Sequence, residues 1–391
     1  MPILNRRRVI LAKIEGTYGV DSAPTGAANA ILVRSLDVTP LDADVVSRDV
    51  VRPFLGSQGN LIAGQKVTVS MEIELAGSGT AGSAPAYGPL LRACGLAEVL
   101  TAAPVTGTAQ AGTTTSITLA VAGTSAVDNA YVGMPIAITA GTGSGQTNTI
   151  VAYNGTTKVA TVAYPFTTAP GVTSTYSIGA NVIYKPVSSG FESVTLWVQL
   201  QDMIAASSPT HKIVGCRGNV EMGMTAKQIP TLKFTFTGIY GSPADVANLA
   251  ATYTPFRTPL PVNKQNTPVF NIAGLAAVGS ELSMNLTNDV VYRNLIGSES
   301  VLLTNRDAKG SATFEAPTIT AKDFFSAAIS TSYVSMAVTH GTTAGNIVDF
   351  SSASVNVLNP SYSEMDGIVM MQMPYELVAV NGGDELFICI R

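Results

Sequence analysis

Glu72 and Glu74 have the residue type and the close spacing that general acid–base catalysis uses. A carboxylate pair does this chemistry only where a cleft holds both groups around a substrate. The segment that carries the two residues alternates strictly between apolar and polar side chains, which predicts a strand with one buried and one solvated face. Both glutamates fall on the solvated face, so we interpret them as surface charge.

The remaining candidates for catalysis or metal binding are weaker. His211 and His340 have no second histidine or cysteine at the spacing of a zinc site. No Gly-x-Ser-x-Gly motif is present, although a catalytic triad built on another turn stays open. The glycine-rich residues 141–145 lack the Lys-Ser/Thr of a phosphate loop and lead into β-branched residues, which favours a hairpin turn. With Trp197 the only tryptophan, a glycan-degrading enzyme would have few sugar-stacking platforms. We predict no enzyme, no cofactor and no metal site.

The strand that positions the two glutamates belongs to a stretch that occurs twice. Residues 52–75 match residues 293–316, about 241 positions further along; for example, Arg52 matches Arg293 and Glu74 matches Glu315. A register slip of one residue would exchange the two faces of the strand, and the second copy keeps the polar face. That face carries Lys66, Thr68, Ser70, Glu72 and Glu74 in the first copy and Lys309, Ser311, Thr313 and Glu315 in the second.

Each copy continues into a helix-like segment, residues 85–96 in the first and 320–329 in the second. In the first segment Pro89 suits a first helical turn and Gly95 suits a C-terminal cap. Because the order of elements is also repeated, we interpret the chain as a tandem duplication of one β-rich domain with one short helix.

The composition divides the chain further. Between residues 99 and 184 only Asp128 and Lys158 are charged, and short alternating runs are separated by glycine-rich turns, which predicts an inserted small β-domain. A proline-rich stretch separates the two copies. The predicted organisation is an N-terminal arm at 1–30, a first domain at 31–100 plus 181–241, an inserted β-domain at 101–180, a linker at 242–267 and a second domain at 268–391.

Charge and cysteine content limit the function classes. The formal net charge is −4 and the only tight basic run is residues 6–8, so a protein that grips nucleic acid is not indicated. Three widely separated cysteines do not form a disulfide framework. No secretory leader and no apolar run of membrane-spanning length is recognised, so we expect a soluble protein made in a reducing cytoplasm.

A long connection, residues 42–64, precedes the repeated strand of the first copy. It contains charged residues together with valines and leucines that we expect to be exposed, and residues 288–297 have the same character in the second copy. Such segments suit a protein interface. A loop folded over its own core is the alternative interpretation.

The duplicated pattern and several phrases resemble the major tail (tail tube) proteins of long, non-contractile-tailed bacteriophages. The phrases are residues 29–34 (NAILVR), 289–300 (DVVYRNLIGSES) and 340–348 (HGTTAGNIV), and the resemblance covers the chain except for roughly 101–180. It implies a mainly β fold of tandem tail-tube sandwich or barrel domains, with the insertion on the outside, whose inner sheets join edge to edge around a lumen. The polar face of the repeated strand would line that lumen. The resemblance implies contacts between rings for Arg48, Asp49, Arg52, Phe54, Leu55, Asp289, Tyr292, Arg293 and Leu295.

The resemblance also implies a function and partners. The protein would be a structural virion protein, assembled in the host cytoplasm, that polymerises into stacked rings forming a hollow tail tube. Family rings contain six tube domains, so a duplicated chain would form homotrimeric rings with pseudo-sixfold symmetry, although the sequence leaves trimer and hexamer open. Further partners would be the tape measure, tail terminator and distal tail proteins. DNA would pass through a net negative lumen without specific binding, and no membrane would be involved. The alternative is a virion-surface adhesive or display protein whose inserted domain binds host glycan.

Overall fold

The computed structural model describes residues 3–330 and 332–391, which form mainly β-strands and three short helices. The strands before the insertion are β1 (Ile3–Ile14), β2 (Ala30–Ile31), β3 (Ser35–Ser47), β4 (Asn60–Glu74) and β5 (Leu96–Thr101). The insertion contains β6 (Val105–Thr108), β7 (Ala111–Gly112), β8 (Ser116–Thr118), β9 (Pro135–Ala140), β10 (Thr147–Tyr153), β11 (Val159–Val162) and β12 (Thr175–Ile178). After it come β13 (Asn181–Pro186), β14 (Val194–Asp202), β15 (Ser207–Thr225), β16 (Thr231–Ile239) and β17 (Ala244–Ala247).

The rest of the chain, here called the second half, contains β18 (Val269–Ile272), β19 (Leu275–Ala276), β20 (Gly279–Asn285), β21 (Asn288–Leu295), β22 (Ser298–Arg306), β23 (Lys309–Glu315), β24 (Val334–His340), β25 (Val348–Val357), β26 (Ser361–Met365), β27 (Ile368–Leu377) and β28 (Phe387–Ile390). The first half comprises β1 to β5 and β13 to β17. The helices are α1 (Gly26–Asn29), α2 (Gly88–Ala93) and α3 (Phe324–Ser330).

The alternating pattern of the repeated strand is confirmed in both copies. In β4 the apolar set that includes Val67, Val69 and Met71 is buried, while the polar residues between them stay partly exposed. In β23, Ala312 and Phe314 are fully buried in the same way. Since alternate side chains of a strand point to opposite faces, each strand covers the core with one face and leaves the other polar.

One antiparallel sheet, here called the central sheet, runs through both halves. Its strands are hydrogen-bonded in the order β3, β4, β16, β15, β20, β23, β27 and β26. The first four strands come from the first half and the last four from the second half. β15 and β20 therefore form the junction at which one half continues into the other.

The main core lies between the central sheet and a second layer of strands, with α2 and α3 packed into it. The layer joins β13 of the first half to β28 of the second, so it also crosses between the halves. Leu90 and Leu91 of α2 are fully buried, and Phe324 of α3 packs edge-on against Phe314 with ring centroids 5.4 Å apart. Helix α3 begins at Phe324 because Asp323 accepts a hydrogen bond from the backbone N–H of Ser326 at 2.9 Å.

The insertion forms its own seven-stranded sheet with a second apolar core. That core also contains three residues from outside the insertion, namely Ile183 of β13 and Phe387 and Cys389 of β28. At Gly133 an added Cβ would lie 2.5 Å from the Phe387 side chain, so the insertion is seated closely on the second half. Removal of the insertion would expose those three apolar side chains.

Several segments are more ordered than their composition suggested. β1, within the predicted arm, pairs with β14 and buries Ile10 and Leu11. The predicted linker contains β17, which pairs with β15. The long connection at 42–64 is irregular only at 48–59, because β3 extends to Ser47 and β4 begins at Asn60. Its counterpart in the second half is a separate hairpin, β21–β22.

Candidate assembly interface

The polar face of the central sheet gathers the repeated polar residues of both halves. Paired residues of an antiparallel sheet project to the same side. The pairing runs from Glu72 to Lys233, from Lys233 to Glu221, from Glu221 to Asn285 and from Asn285 to Lys309. Glu72 of the first copy and Lys309 of the second therefore lie in one row on one face.

Hydrogen bonds between neighbouring strands knit this face together. The hydroxyl groups of Ser283 and Ser311 are 2.8 Å apart, and those of Ser70 and Thr235 are 3.4 Å apart. Thr68 lies opposite Thr237 and Thr313 opposite Gln372. The face is thus lined mainly by hydroxyl and amide groups, with charged side chains spaced among them.

Carboxylates outnumber cations on this face. The register places on it the acidic residues Asp37, Glu72, Glu74, Glu221, Glu281, Glu315 and Glu376 and the basic residues Lys66, Arg217, Lys233 and Lys309. Two of the lysines are held next to aspartates, Lys66 at 3.4 Å from Asp42 and Lys309 at 3.6 Å from Asp307. The excess of acid gives this surface a net negative charge.

The two ends of the central sheet are free edges. In the described residues β3 pairs only with β4, and β26 pairs only with β27. Tyr362 and Met365 on β26 are exposed, although both are large apolar side chains. An exposed strand edge offers unpaired backbone N–H and C=O groups to another chain.

The part of the β3–β4 ribbon beyond the central sheet, residues 42–64, is here called the first hairpin. Its strands expose Val45, Val46, Leu61 and Ile62 by more than half, and its turn exposes Val51 and Leu55 fully. The predicted contact residues Arg48, Asp49, Arg52, Phe54 and Leu55 all lie in this turn and are exposed. The Arg52 guanidinium stands over the Phe54 ring at 5.1 Å. An apolar surface of this kind on a projecting hairpin marks an interaction site.

The β21–β22 pair, residues 288–306, is here called the second hairpin, and it lies against the first half of its own chain. Val301 is fully buried there; its N–H donates to the Tyr18 hydroxyl at 2.6 Å and its C=O accepts from Arg217 Nη1 at 2.8 Å. At the base of the hairpin, Asn288 Nδ2 donates to the carbonyls of Cys94 and Gly218 at 2.7 and 2.9 Å.

The predicted contact residues of the second hairpin differ in their surroundings. The Tyr292 hydroxyl donates to the Gln65 carbonyl at 2.9 Å, so this side chain contacts its own chain. Asp289 accepts a hydrogen bond from the Thr304 hydroxyl at 2.8 Å within the hairpin. Arg293 and Leu295 are exposed near the turn. The sequence reasoning missed Tyr18, Arg217 and Asn288, because no local pattern distinguishes them from other polar residues of strands and turns.

The surroundings of His340 and the three cysteines indicate a structural role for these residues. His340 Nδ1 is 3.0 Å from the Thr267 hydroxyl and its Nε2 is 3.1 Å from the Leu260 carbonyl, and burial lowers the pKa of the imidazole. Burial raises the pKa of the thiols of Cys94, Cys216 and Cys389, and none of these cysteines forms a disulfide. Within residues 3–330 and 332–391 no group of three His, Cys, Asp or Glu side chains could hold a metal ion, and no helix is long and apolar enough to cross a membrane.

A protein-family model described as a phage tail tube protein matches residues 5–377, which is nearly the whole chain. No curated protein matches the sequence. The family match gives no support to the alternative of a display protein that binds host glycan.

Proposed function

The chain belongs to the phage tail tube protein family, and on that premise we propose that its copies close into rings that stack into the tube through which DNA passes. Membership of the family makes it a structural protein of the virion tail. We infer ring closure, stacking and the passage of DNA from the strand order and the polar face of the central sheet.

The repeated strand order of the central sheet carries this proposal. β3, β4, β16 and β15 in the first half are followed by β20, β23, β27 and β26 in the same roles in the second. Ser70 and Ser311 are equivalent, and they lie opposite Asp37 and Ser283, so β20 takes the place of β3. In the same way Glu74 and Glu315 lie opposite Thr231 of β16 and Met370 of β27.

The junction inside the chain then supplies the pattern for the junction between chains. β15 pairs with β20 where the halves meet, and Gly223 lies opposite Ser283. The free edges β26 and β3 are the equivalents of these two strands. Ser363 is the equivalent of Gly223, because the two lie opposite the equivalent residues Met370 and Thr231. Asp37 is the equivalent of Ser283. Pairing β26 of one copy with β3 of the next would therefore set Ser363 opposite Asp37.

A hollow lumen needs more than one copy in the ring, and the resemblance to tail tube proteins implies six tube domains. A barrel closed from one central sheet of eight strands would be filled by its own side chains. Three copies would contribute six equivalent halves, and at the usual strand spacing and tilt the barrel would be about 45 Å across between backbones. We therefore propose homotrimeric rings with pseudo-sixfold symmetry.

The polar face of the central sheet would line this lumen. A basic wall would bind DNA phosphates and release their counterions, which favours capture rather than passage. A wall of hydroxyl groups with an excess of carboxylates repels the phosphate backbone and lets DNA slide. The tube would meet tape measure, tail terminator and distal tail proteins, and assembly would take place in the host cytoplasm.

Electron microscopy of the purified protein, with end-on views averaged without imposed symmetry, tests the proposal. We expect hollow rings of three chains with six lobes, three of them enlarged by the insertion. The double variant Asp37→Cys with Ser363→Cys should give disulfide-linked trimers in assembled tubes, while either single variant should not. The native cysteines are buried, so they do not compete. Six chains per ring would contradict the trimer, and monomers under all assembly conditions would contradict the tube.

A further inference from the structure

The first and second hairpins occupy equivalent positions in the two halves. Leu61 and Leu302 match in the sequence repeat, and Val46 and Val291 lie opposite them on the paired strands. Both hairpins extend from equivalent pairs of strands at the same end of the central sheet. Equivalent hairpins on equivalent scaffolds should find equivalent docking surfaces.

The docking surface of the second hairpin is known from the structure. It lies over the ends of β15 and β16 of the first half, held by Arg217 and Tyr18 around Val301. Leu303 completes the contact, because an added Cβ at Gly95 would lie 3.1 Å from Leu303 Cδ1. The second hairpin therefore crosses the sheet junction and rests on the half that precedes it.

In the described residues no other half lies beside β3, and the first hairpin is correspondingly exposed. Leu61 and Ile62 are 56% and 52% exposed, whereas Leu302 and Leu303 are partly buried. In a closed ring, the half that precedes the first half is the second half of a neighbouring copy. The surface that would cover the first hairpin therefore lies on the second half of a neighbouring copy.

We propose that the strand part of the first hairpin, residues 42–47 and 60–64, docks over the ends of β25 and β27 in the second half of the neighbouring copy in the same ring, which leaves its turn, residues 48–59, for the contacts between rings that the resemblance implies. This inference rests on the proposed ring closure and names the partner surface. Glu376 of β27 and Thr237 of β16 occupy equivalent positions. Asn356 lies opposite Glu376 and Arg217 lies opposite Thr237, so Asn356 on the proposed surface is the equivalent of Arg217.

The proposed surface has a matching polar group. In the described residues the side-chain oxygen of Asn356 is buried and accepts no hydrogen bond. Val301, which Arg217 contacts in the second hairpin, corresponds to Asn60 in the first. The Asn356 oxygen is already shielded from solvent in the single chain, so its side chain would have to turn outward on docking before the amide N–H of Asn60 could donate to it.

Site-specific photocrosslinking tests the inference on the full chain in assembled tubes. With benzoylphenylalanine introduced at Ile62, which is the equivalent of Leu303 on the docked face of the second hairpin, we expect crosslinks to β25 and β27 of another copy, mapped by mass spectrometry. Because the partner lies in the same ring, the crosslinked species should stop at three chains. Crosslinks to another region, or a ladder that continues beyond the number of chains in a ring, would overturn the inference while leaving the tube intact.

Charged substitutions provide a second readout. Val45→Asp and Ile62→Asp, which lie opposite each other on the docking face of the first hairpin, should lower the yield of rings at least tenfold while the circular dichroism spectrum of the unassembled chain is unchanged. Val172→Asp is the matched control, because Val172 is 68% exposed on the insertion, and its ring yield should equal that of the wild type. Normal ring yield in both hairpin variants would overturn the inference. Wild-type protein that forms no rings would instead contradict the proposed function.

Discussion

The first and second hairpins are built on equivalent strands, yet one is bare and the other is buried against its own chain. Leu303 of the second hairpin is partly buried, whereas its equivalent in the first hairpin, Ile62, is more than half exposed. The scaffolds share strand order and register, so local structure does not explain the difference. We infer that the explanation is the neighbouring half, because the second hairpin lies beside the first half across the β15–β20 junction, whereas β3 has no neighbouring half in the described residues.

This difference shows what tandem duplication does to an assembling protein. A contact inside one chain forms at a high effective concentration, whereas the same contact between chains depends on protein concentration. On the proposed function, half of the junctions in each ring are already closed when the chain folds. The remaining junctions keep their apolar surface exposed until a neighbouring copy arrives.

The largest effect that separates the two hairpins should come from a buried charge. Val301→Asp places a carboxylate in a fully buried site, and we expect the free energy of unfolding to fall by about 4 kcal/mol. Ile62→Asp, on the corresponding face of the exposed hairpin, should change the stability of the unassembled chain by less than about 0.5 kcal/mol. Denaturant unfolding of both variants measures this. Equal losses of stability would show that the first hairpin is also docked on its own chain.

A smaller effect should come from the cation that holds the second hairpin. Arg217 donates to the carbonyls of Val301, Phe191 and Glu192, at 2.8, 2.8 and 3.3 Å. Burial lowers the pKa of its guanidinium, although these three carbonyls hold the cation in place. Arg217→Met leaves three carbonyls without this donor, and we expect a loss of about 2–3 kcal/mol in unfolding free energy.

Its equivalent in the second half provides the control. Asn356→Leu removes a buried oxygen that has no partner in the described residues and a long hydrogen bond from Nδ2 to Glu376 Oε2 at 3.5 Å, so the stability of the unassembled protein should stay within about 1 kcal/mol. The cost should be seen in ring yield instead. A large loss of stability for Asn356→Leu in the unassembled chain would show that Asn356 already makes a stabilising contact within its own chain. It would then contradict the role of Asn356 in docking the first hairpin of another copy.

Much of the scaffold could be predicted from the sequence because it depends on local pattern. The alternation around Val67 and Val69 gave the strand and its buried face, and Gly95 does end helix α2 with a positive φ of 79°. The family match agrees with the resemblance that these patterns and the sequence phrases indicated. Period and turn chemistry are written in neighbouring residues, so a single sequence is sufficient for them.

The docking of the second hairpin could not be predicted in the same way. Tyr18 and Val301 are far apart in the sequence, and neither residue type signals the hydrogen bond that joins them. The composition of residues 42–64 indicated a loop, because charged residues interrupt the apolar ones, but the strands of the ribbon continue into both ends of that segment, at 42–47 and 60–64. Whether a valine in such a hairpin is buried depends on a surface formed by residues that are far away in the sequence.

The smallest expected effect concerns the Tyr18 hydroxyl, which accepts the Val301 N–H at 2.6 Å under the second hairpin. Tyr18→Phe leaves that N–H unpaired and should cost about 1–2 kcal/mol in unfolding free energy. Tyr362→Phe on the exposed edge strand β26 is the matched control, and it should leave the stability of the unassembled chain unchanged.

The pH dependence of the same variant gives a sharper readout. Burial raises the pKa of Tyr18 above its usual value of 10.0. Because the folded chain then holds this proton more tightly than the unfolded chain, the associated stability is fully present below about pH 10 and is lost as pH rises through the folded pKa. The stability difference between wild type and Tyr18→Phe should therefore shrink above pH 10. A difference that grows with pH would show that the tyrosinate, not the phenol, is the form that holds the second hairpin.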